Sequence, residues 1–218
     1  MEAVVSVIMS VFKEPQEYLK HSIDSILTQS FKDFEFICDN PSDKNICNFL
    51  KVYKSIDYRI KLVINPTNMG LTKSLNIGLK LASGKYIARM DADDICMHER
   101  LYKQVAYLEN NPEISVCGTN RYYIVNDKVV KKYNILFEKN GDIVSTFLLR
   151  SPFTHPSVMF RTILVKEGWK YISVPVENKG KEGQLIADVQ ISNVTNWRNQ
   201  HLNAIKFAYQ KAPYYDTE

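Results

Sequence analysis

No apolar run in this 218-residue chain approaches the ~20 residues that cross a bilayer; the longest, such as Val4 to Val11, are strand-sized. A leader peptide is not expected either, because the N-terminus enters a strand pattern at once. The four cysteines, Cys38, Cys47, Cys96 and Cys117, form no CxxC pair and sit mostly in apolar segments. That argues against a zinc site or a disulfide framework, and for reduced residues in a cytoplasmic protein. Excess charge of one sign is also missing. A net +4 gives no reason to expect a nucleic-acid partner. Its scattered lysines suit a solvated surface, while staying compatible with an anionic substrate or membrane face. What remains, 45% apolar and 24% charged, is the make-up of a soluble globular protein with one good-sized core or two modest ones.

Hydrophobic spacing divides the first 110 residues into alternating strands and helices. Strands are expected at Val4 to Val11, Phe34 to Cys38, Ile60 to Ile64 and Lys85 to Met90. Helices are expected at Tyr18 to Thr28, Asn45 to Ser55, Leu71 to Leu81 and about His98 to Glu109. Asn65-Pro66 closes the third strand, and Ser83-Gly84 ends the third helix. Such alternation with short connections predicts an α/β fold, a mostly parallel sheet flanked by helices. From Ile114 the texture changes. Strands are expected at Ile114 to Cys117, Arg121 to Val125 and Val129 to Tyr133, the last two joined as a hairpin at Asn126-Asp127. A short helix is expected at Asp142 to Leu149, and Ser151 to Phe160 leads into a further strand.

The stretch Gly84 to Asp94 organises the chain. Its strand, apolar apart from Lys85 and Arg89, runs into Asp91, Asp93 and Asp94. Asp91 and Asp93 are two apart, so both point to one face of a strand. Hard oxygen ligands so placed suit Mg²⁺ or Mn²⁺, which in turn holds a diphosphate. The plainer role for Asp93 and Asp94 is to cap the helix that follows. Asp39 also falls at the carboxyl end of a strand. In open α/β sheets that is the edge where ligands bind.

Several stretches together resemble glycosyltransferase family 2. They are Ser6-Val-Ile-Met-Ser-Val-Phe-Lys-Glu-Pro, Ser25-Ile-Leu-Thr-Gln-Ser-Phe, Asn68-Met-Gly-Leu-Thr-Lys-Ser-Leu-Asn-Ile-Gly, Met90-Asp-Ala-Asp-Asp and His155-Pro-Ser-Val-Met-Phe-Arg. The resemblance covers residues 1–167. It implies a GT-A (Rossmann-like) fold, a nucleotide-sugar donor, usually UDP-linked, a divalent metal and inverting transfer to a saccharide or lipid-linked acceptor. By the same resemblance Ser10, Val11, Phe12 and Glu14 line the nucleotide pocket, and Asp39 accepts hydrogen bonds from uracil or ribose. Asn68 and Gly70 bring backbone close to the donor. Asp91, Ala92 and Asp93 meet the ribose and metal, with Asp91 and Asp93 as ligands. Some members carry Arg where Leu75 stands, a place that Lys73 would fill. His155 has either an acceptor-side or a structural role. A lipid-linked acceptor would suit peripheral association with the inner face of a membrane.

The family takes its general base from a Glu-Asp pair in a later segment, and no Glu-Asp dipeptide follows Gly168. No catalytic base is therefore assigned. Instead, Trp169-Lys-Tyr-Ile-Ser-Val-Pro-Val, Ile186-Ala-Asp-Val-Gln-Ile, Trp197-Arg-Asn-Gln-His-Leu and Ala208-Tyr-Gln-Lys-Ala-Pro-Tyr-Tyr-Asp resemble the WbqC-like proteins of polysaccharide gene clusters. Residues 168–218 are expected to form a small α+β segment. It has two strands, one of them at Leu185 to Ile191, and a helix over Trp197 to Gln210 that sets Trp197 beside His201. Arg198 and His201 are site candidates there, against a purely packing role. Asp188 fits a solvent-facing strand position. Two other readings of the whole chain stand beside the enzyme. One is a nucleotide-sugar-binding remnant that cannot complete transfer. The other is a nucleotidyltransferase, disfavoured because the loop after the first strand has no Gly.

Overall fold

The structure is a computed structural model, and it describes residues 3–40, 43–125, 128–133, 154–171 and 206–210. The first half follows the expected alternation closely. Strands β1 (Val5–Ser10), β2 (Phe34–Asn40), β3 (Ile60–Ile64) and β4 (Tyr86–Asp91) interleave with helices α1 (Gln16–Leu27), α2 (Lys44–Ile56), α3 (Leu71–Leu81) and α4 (Arg100–Asn110). Then come β5 (Ile114–Thr119), the hairpin β6 (Arg121–Val125) and β7 (Lys128–Tyr133), a 3₁₀ turn (His155–Ser157), β8 (Met159–Arg161) and one helical turn (Ile163–Lys166). Strand β9 (Lys206–Gln210) completes the described chain.

The main sheet runs β3-β2-β1-β4-β8-β5-β9, and β6-β7 stand apart as a two-stranded pair. β1, β2, β3 and β4 are mutually parallel, β8 is antiparallel to β4 and β5, and β9 runs parallel to β5. The chain steps outward from β1 to β2 to β3, then returns through α3 to the other side of β1. A uniform crossover hand requires α3 to cover the opposite face from α1 and α2. The core divides accordingly. Val5, Val7, Met9, Phe36, Tyr86 and Met90 pack with Leu19, Ile23 and Ile26 of α1, Leu50 of α2 and Leu101 and Leu108 of α4. Ile8 and Ile87 pack on the other face with Leu75 and Leu79 of α3, Leu164 and Tyr171. Each such side chain, fully buried, contributes roughly 1.5–3 kcal/mol.

Two glycines set how closely these layers approach. A Cβ on Gly78 of α3 would stand 2.5 Å from Ile8 Cγ2, and one on Gly84 would stand 2.7 Å from the backbone nitrogen of Ser6. At the amino end of the sheet Glu35 gathers Ser6, Ser83 and Lys61. The Ser83 backbone N–H donates to Oε1 at 2.7 Å and its hydroxyl at 3.0 Å. Ser6 and the Lys61 ammonium also bond the carboxylate. Cys38, Cys96 and Cys117 are buried in the core and Cys47 is half-buried.

Lys206–Gln210 is a strand beside β5, not the last turns of a helix. The alternation Lys-Phe-Ala-Tyr-Gln suits either element, and the open edge of β5 decides it. Asp93 and Asp94 do not cap α4. Glu99 is its N-cap and makes no side-chain capping bond. The expected helix at 142–149, the strand at 185–191, and residues Asp188, Trp197, Arg198 and His201 lie outside the described residues.

Candidate functional site

Register places the candidate residues. Ser10 at the end of β1 pairs with Asp39 of β2 on one side and Asp91 of β4 on the other. Asp39, Ser10 and Asp91 thus form one row across three adjacent strand ends. The row straddles the point where the chain direction through the sheet reverses, between β1 and β4. The connections from the two strands leave toward opposite faces there, and in open α/β sheets ligands bind at such a switch point, outside the carboxyl ends of the strands.

The loops beyond this row carry the other candidates. After β1, the Phe12 backbone N–H donates to Glu14 Oε2 at 2.7 Å, which folds the loop tightly. Phe12 is 43% exposed, and the Lys13 ammonium lies 5.2 Å from its ring centre. Val11 and Ala92, each 2% exposed, have their side chains in the core, so their main chain is what they offer a ligand. After β3, Asn68 Oδ1 accepts from the Gly70 N–H at 2.9 Å. Gly70, at φ +75°, is the N-cap of α3, a left-handed conformation that L side chains avoid. Lys73 lies exposed in the first turn of the same helix.

The acidic turn after β4 is fixed from below by α1. Ser22 Oγ donates to the Asp91 carbonyl at 2.9 Å, and the Cys96 N–H donates to Ser25 Oγ at 2.9 Å. Gln29, fully buried, donates to the Met97 carbonyl at 2.8 Å and accepts from the Leu101 N–H at 3.1 Å. The Ser30 N–H donates to the His98 carbonyl at 2.9 Å. The Ser25-x-x-x-Gln-Ser stretch therefore anchors residues 91–101 and does not line the cleft. Buried Arg100 and Gln104 hold the other side. Arg100 Nη2 donates to the Arg89 carbonyl at 2.8 Å, and Gln104 Nε2 donates to the Ser157 carbonyl at 2.8 Å.

Carboxylates crowd this turn. Arg89 Nη2 stands 2.7 Å from Asp91 Oδ1. Burial pushes the Asp91 carboxyl above the ordinary range; Arg89 pulls it back, and the charges of Asp93 and Glu14 oppose that pull. Asp94 is an exposed residue, yet enough protein surrounds its carboxyl that desolvation, with Asp91 and Asp93 adding repulsion, pushes it up to about 6. The charges of Glu14, Asp91, Asp93 and Asp94 repel one another here, with Arg89 and Arg100 opposing them, and a cation would relieve that repulsion. Among the described residues no three His, Cys, Asp or Glu side chains form a metal-binding group. The donor set fits a small hard ion held by one or two carboxylates together with substrate phosphates, not a site closed by protein alone.

Sequence comparison turns this geometry into a family assignment. The model for Glycosyl transferase family 2 matches residues 6–168. The chain belongs to this family. A second model, the WbqC-like protein family, matches residues 147–218. Among curated relatives of this chain, the Uncharacterized glycosyltransferase MJ1057 of Methanocaldococcus jannaschii is 39% identical over 167 residues, 75% of this chain and 58% of that protein. The Putative glycosyltransferase EpsE of Bacillus subtilis is 45% identical over 159 residues, 72% of this chain and 56% of that protein. The chain spans roughly half to three-fifths of the length of such relatives. Among solved structures, S. aureus TarS 1-349 in complex with UDP-GlcNAc superposes with TM-score 0.66 at 22% identity, over 100% of this chain and 60% of that one. The GT-A expectation holds: a mixed, mostly parallel sheet with helices on both faces.

The sequence did not single out Arg89, Arg100, Gln104, Asn76 or Tyr171. Arg89 left one signal, a charge inside an otherwise apolar strand. Asn76 donates to the Tyr171 carbonyl at 2.8 Å and accepts its N–H at 2.9 Å. Tyr171 stacks edge-on against His155 with ring centres 5.9 Å apart. His155 thus has a packing contact in the structure. No helix among the described residues is long and apolar enough to cross a membrane.

Proposed function

We propose that the cleft above β1, β2 and β4 binds a nucleotide-sugar donor, UDP-linked, and that the protein transfers the sugar to a saccharide or lipid-linked acceptor in surface-polysaccharide assembly. The observation that carries this reading is the level row Asp39–Ser10–Asp91 across the switch point. In this reading Phe12 offers an aromatic face at the base pocket, and Ser10, Glu14 and the main chain of Val11 complete it. Asp39 takes the uracil or ribose. Asn68 and Gly70 let backbone approach the donor, and Lys73 supplies a cation toward the diphosphate. Asp91 and Asp93 hold Mn²⁺ or Mg²⁺, with the main chain of Ala92 between them. Bound there, the ion would neutralise the departing nucleoside diphosphate.

The relatives support the substrate class. One, 33% identical over 168 residues, is named UDP-Glc:alpha-D-GlcNAc-diphosphoundecaprenol beta-1,3-glucosyltransferase WfgD, from Escherichia coli. The amylovoran biosynthesis glycosyltransferase AmsE of Erwinia amylovora is 32% identical over 161 residues. A mannosyltransferase of Pyrobaculum calidifontis with TM-score 0.58 was solved with GDP-Man and Mn²⁺. A lipid-linked acceptor would bring this chain to the cytoplasmic face of a membrane. We further propose that residues 1–167 form the donor-binding domain and 168–218 a WbqC-like appendage.

One observation favours a second reading, donor binding without transfer: no Glu-Asp pair follows Gly168. Loss of a general base typically costs 10²–10⁴-fold in rate. Titration calorimetry with UDP and Mn²⁺, on wild type and Asp93→Ala, beside a donor-hydrolysis assay, separates the two. Turnover that needs Asp93 supports the enzyme. Binding that needs Asp93, with no turnover, supports the binding protein. No binding by wild type removes both.

A further inference from the structure

We propose that Arg89 is a positioning residue, a buried guanidinium that fixes the direction of the Asp91 carboxylate so that the ion-and-diphosphate site is preformed on β4. The proposal rests on the donor-site reading above. Arg89 and Asp91 are two apart on one strand, so both side chains leave the same face. Arg89 is 4% exposed, and its Nη2 engages Asp91 Oδ1 at 2.7 Å while the Asp91 side chain stays 36% exposed. One carboxylate oxygen is therefore held from beneath, and the group as a whole stays open to solvent.

The root of the arginine is fixed on both sides. Its N–H donates to the Val158 carbonyl at 3.0 Å, and its carbonyl accepts from Arg100 Nη2 at 2.8 Å. Tyr171, 5% exposed and clamped by Asn76, lies close enough to feel the charges of both Arg89 and Asp91. Stability does not explain the arginine. Its Nε is buried with no hydrogen-bond partner, and an unmet donor on a buried charge works against folding. An apolar side chain would fill the same strand position, as Ile87 does two residues earlier. What only an arginine supplies there is a planar donor aimed at the neighbouring carboxylate. Partners of this kind, one step behind a ligand, typically change metal affinity 10–100-fold when removed.

The test is calorimetry of UDP binding with and without Mn²⁺ on wild type, Arg89→Met and Arg89→Lys, with a thermal melt of each. The readout is the ratio of the two affinities. Arg89→Met is expected to lower that ratio by about ten-fold or more, each variant's own metal-free UDP affinity serving as its reference. Arg89→Lys keeps the charge without the planar fork and is expected to fall between. A packing role alone would lower both affinities together and leave the ratio intact, which overturns the proposal. If Arg89→Met fails to fold, Arg89→Lys decides by the same ratio. Wild type that binds UDP equally with and without Mn²⁺ overturns this proposal but leaves the donor cleft standing. Wild type that binds no UDP at all overturns the donor-site reading itself.

Discussion

Ser10 and Asp91 are register partners on β1 and β4, the two strands between which the sheet reverses its order. Neither residue chooses that position through its own chemistry. It follows from α3 carrying the chain back across β1, which makes the β1–β4 edge the switch point of the sheet. The acidic turn then stands beyond the strand ends on a base that α1 and α4 hold from beneath.

Gln29→Ala should be costly although the residue touches no ligand. Its side chain donates to the Ser25 and Met97 carbonyls and accepts from the Leu101 N–H, all in a buried setting. Leaving those groups unmet should destabilise the fold by about 2–4 kcal/mol. Urea unfolding would measure it, and a loss under 1 kcal/mol would show that the 91–101 turn does not depend on the Gln29 side chain.

Gly84→Ala tests the close approach of the turn before β4 to β1. The added Cβ meets backbone at Ser6, which cannot swing aside as a side chain can. We expect destabilisation of about 1–3 kcal/mol or more, read as a lowered melting temperature with donor affinity retained in the folded fraction.

Asn76→Ala removes both hydrogen bonds that fasten the backbone of Tyr171 to α3. We expect a loss of about 1–3 kcal/mol and faster proteolytic cleavage after residue 168. Unchanged cleavage would mean that Tyr171 is held by packing alone.

The raised carboxyl of Asp94 makes a signed prediction for pH. In the folded state it keeps its proton up to about 6, above its ordinary 3.8. Between those values the folded chain binds more protons than the unfolded one, so this group's contribution to stability declines as pH rises. Asp94→Asn should flatten that part of the stability–pH curve and be relatively more stable than wild type above pH 6. Melting temperatures across pH 4 to 7 would check it. A parallel pair of curves for mutant and wild type would contradict it.

Local patterning was enough for the alternation of β1 to β4 with α1 to α4, because each element buries one face and its apolar spacing states which period it follows. It was also enough for the acidic turn and Asp39 at strand ends, since those are chain-local facts. It failed at Lys206–Gln210, where five residues suit strand or helix and the open edge of β5 made the choice. Sequence could not tell that Val11 and Ala92 turn their side chains into the core, that Gln29 anchors a turn some 70 residues away in the chain, or that Arg89 underlies Asp91. Those relationships join residues far apart in the chain, or depend on which face a strand presents. Composition and period decided what each segment would become. Strand order, register and the packing of α1, α3 and α4 decided which of their residues meet, because only contact between distant segments can desolvate a charge, satisfy a buried amide or bring three strand ends level.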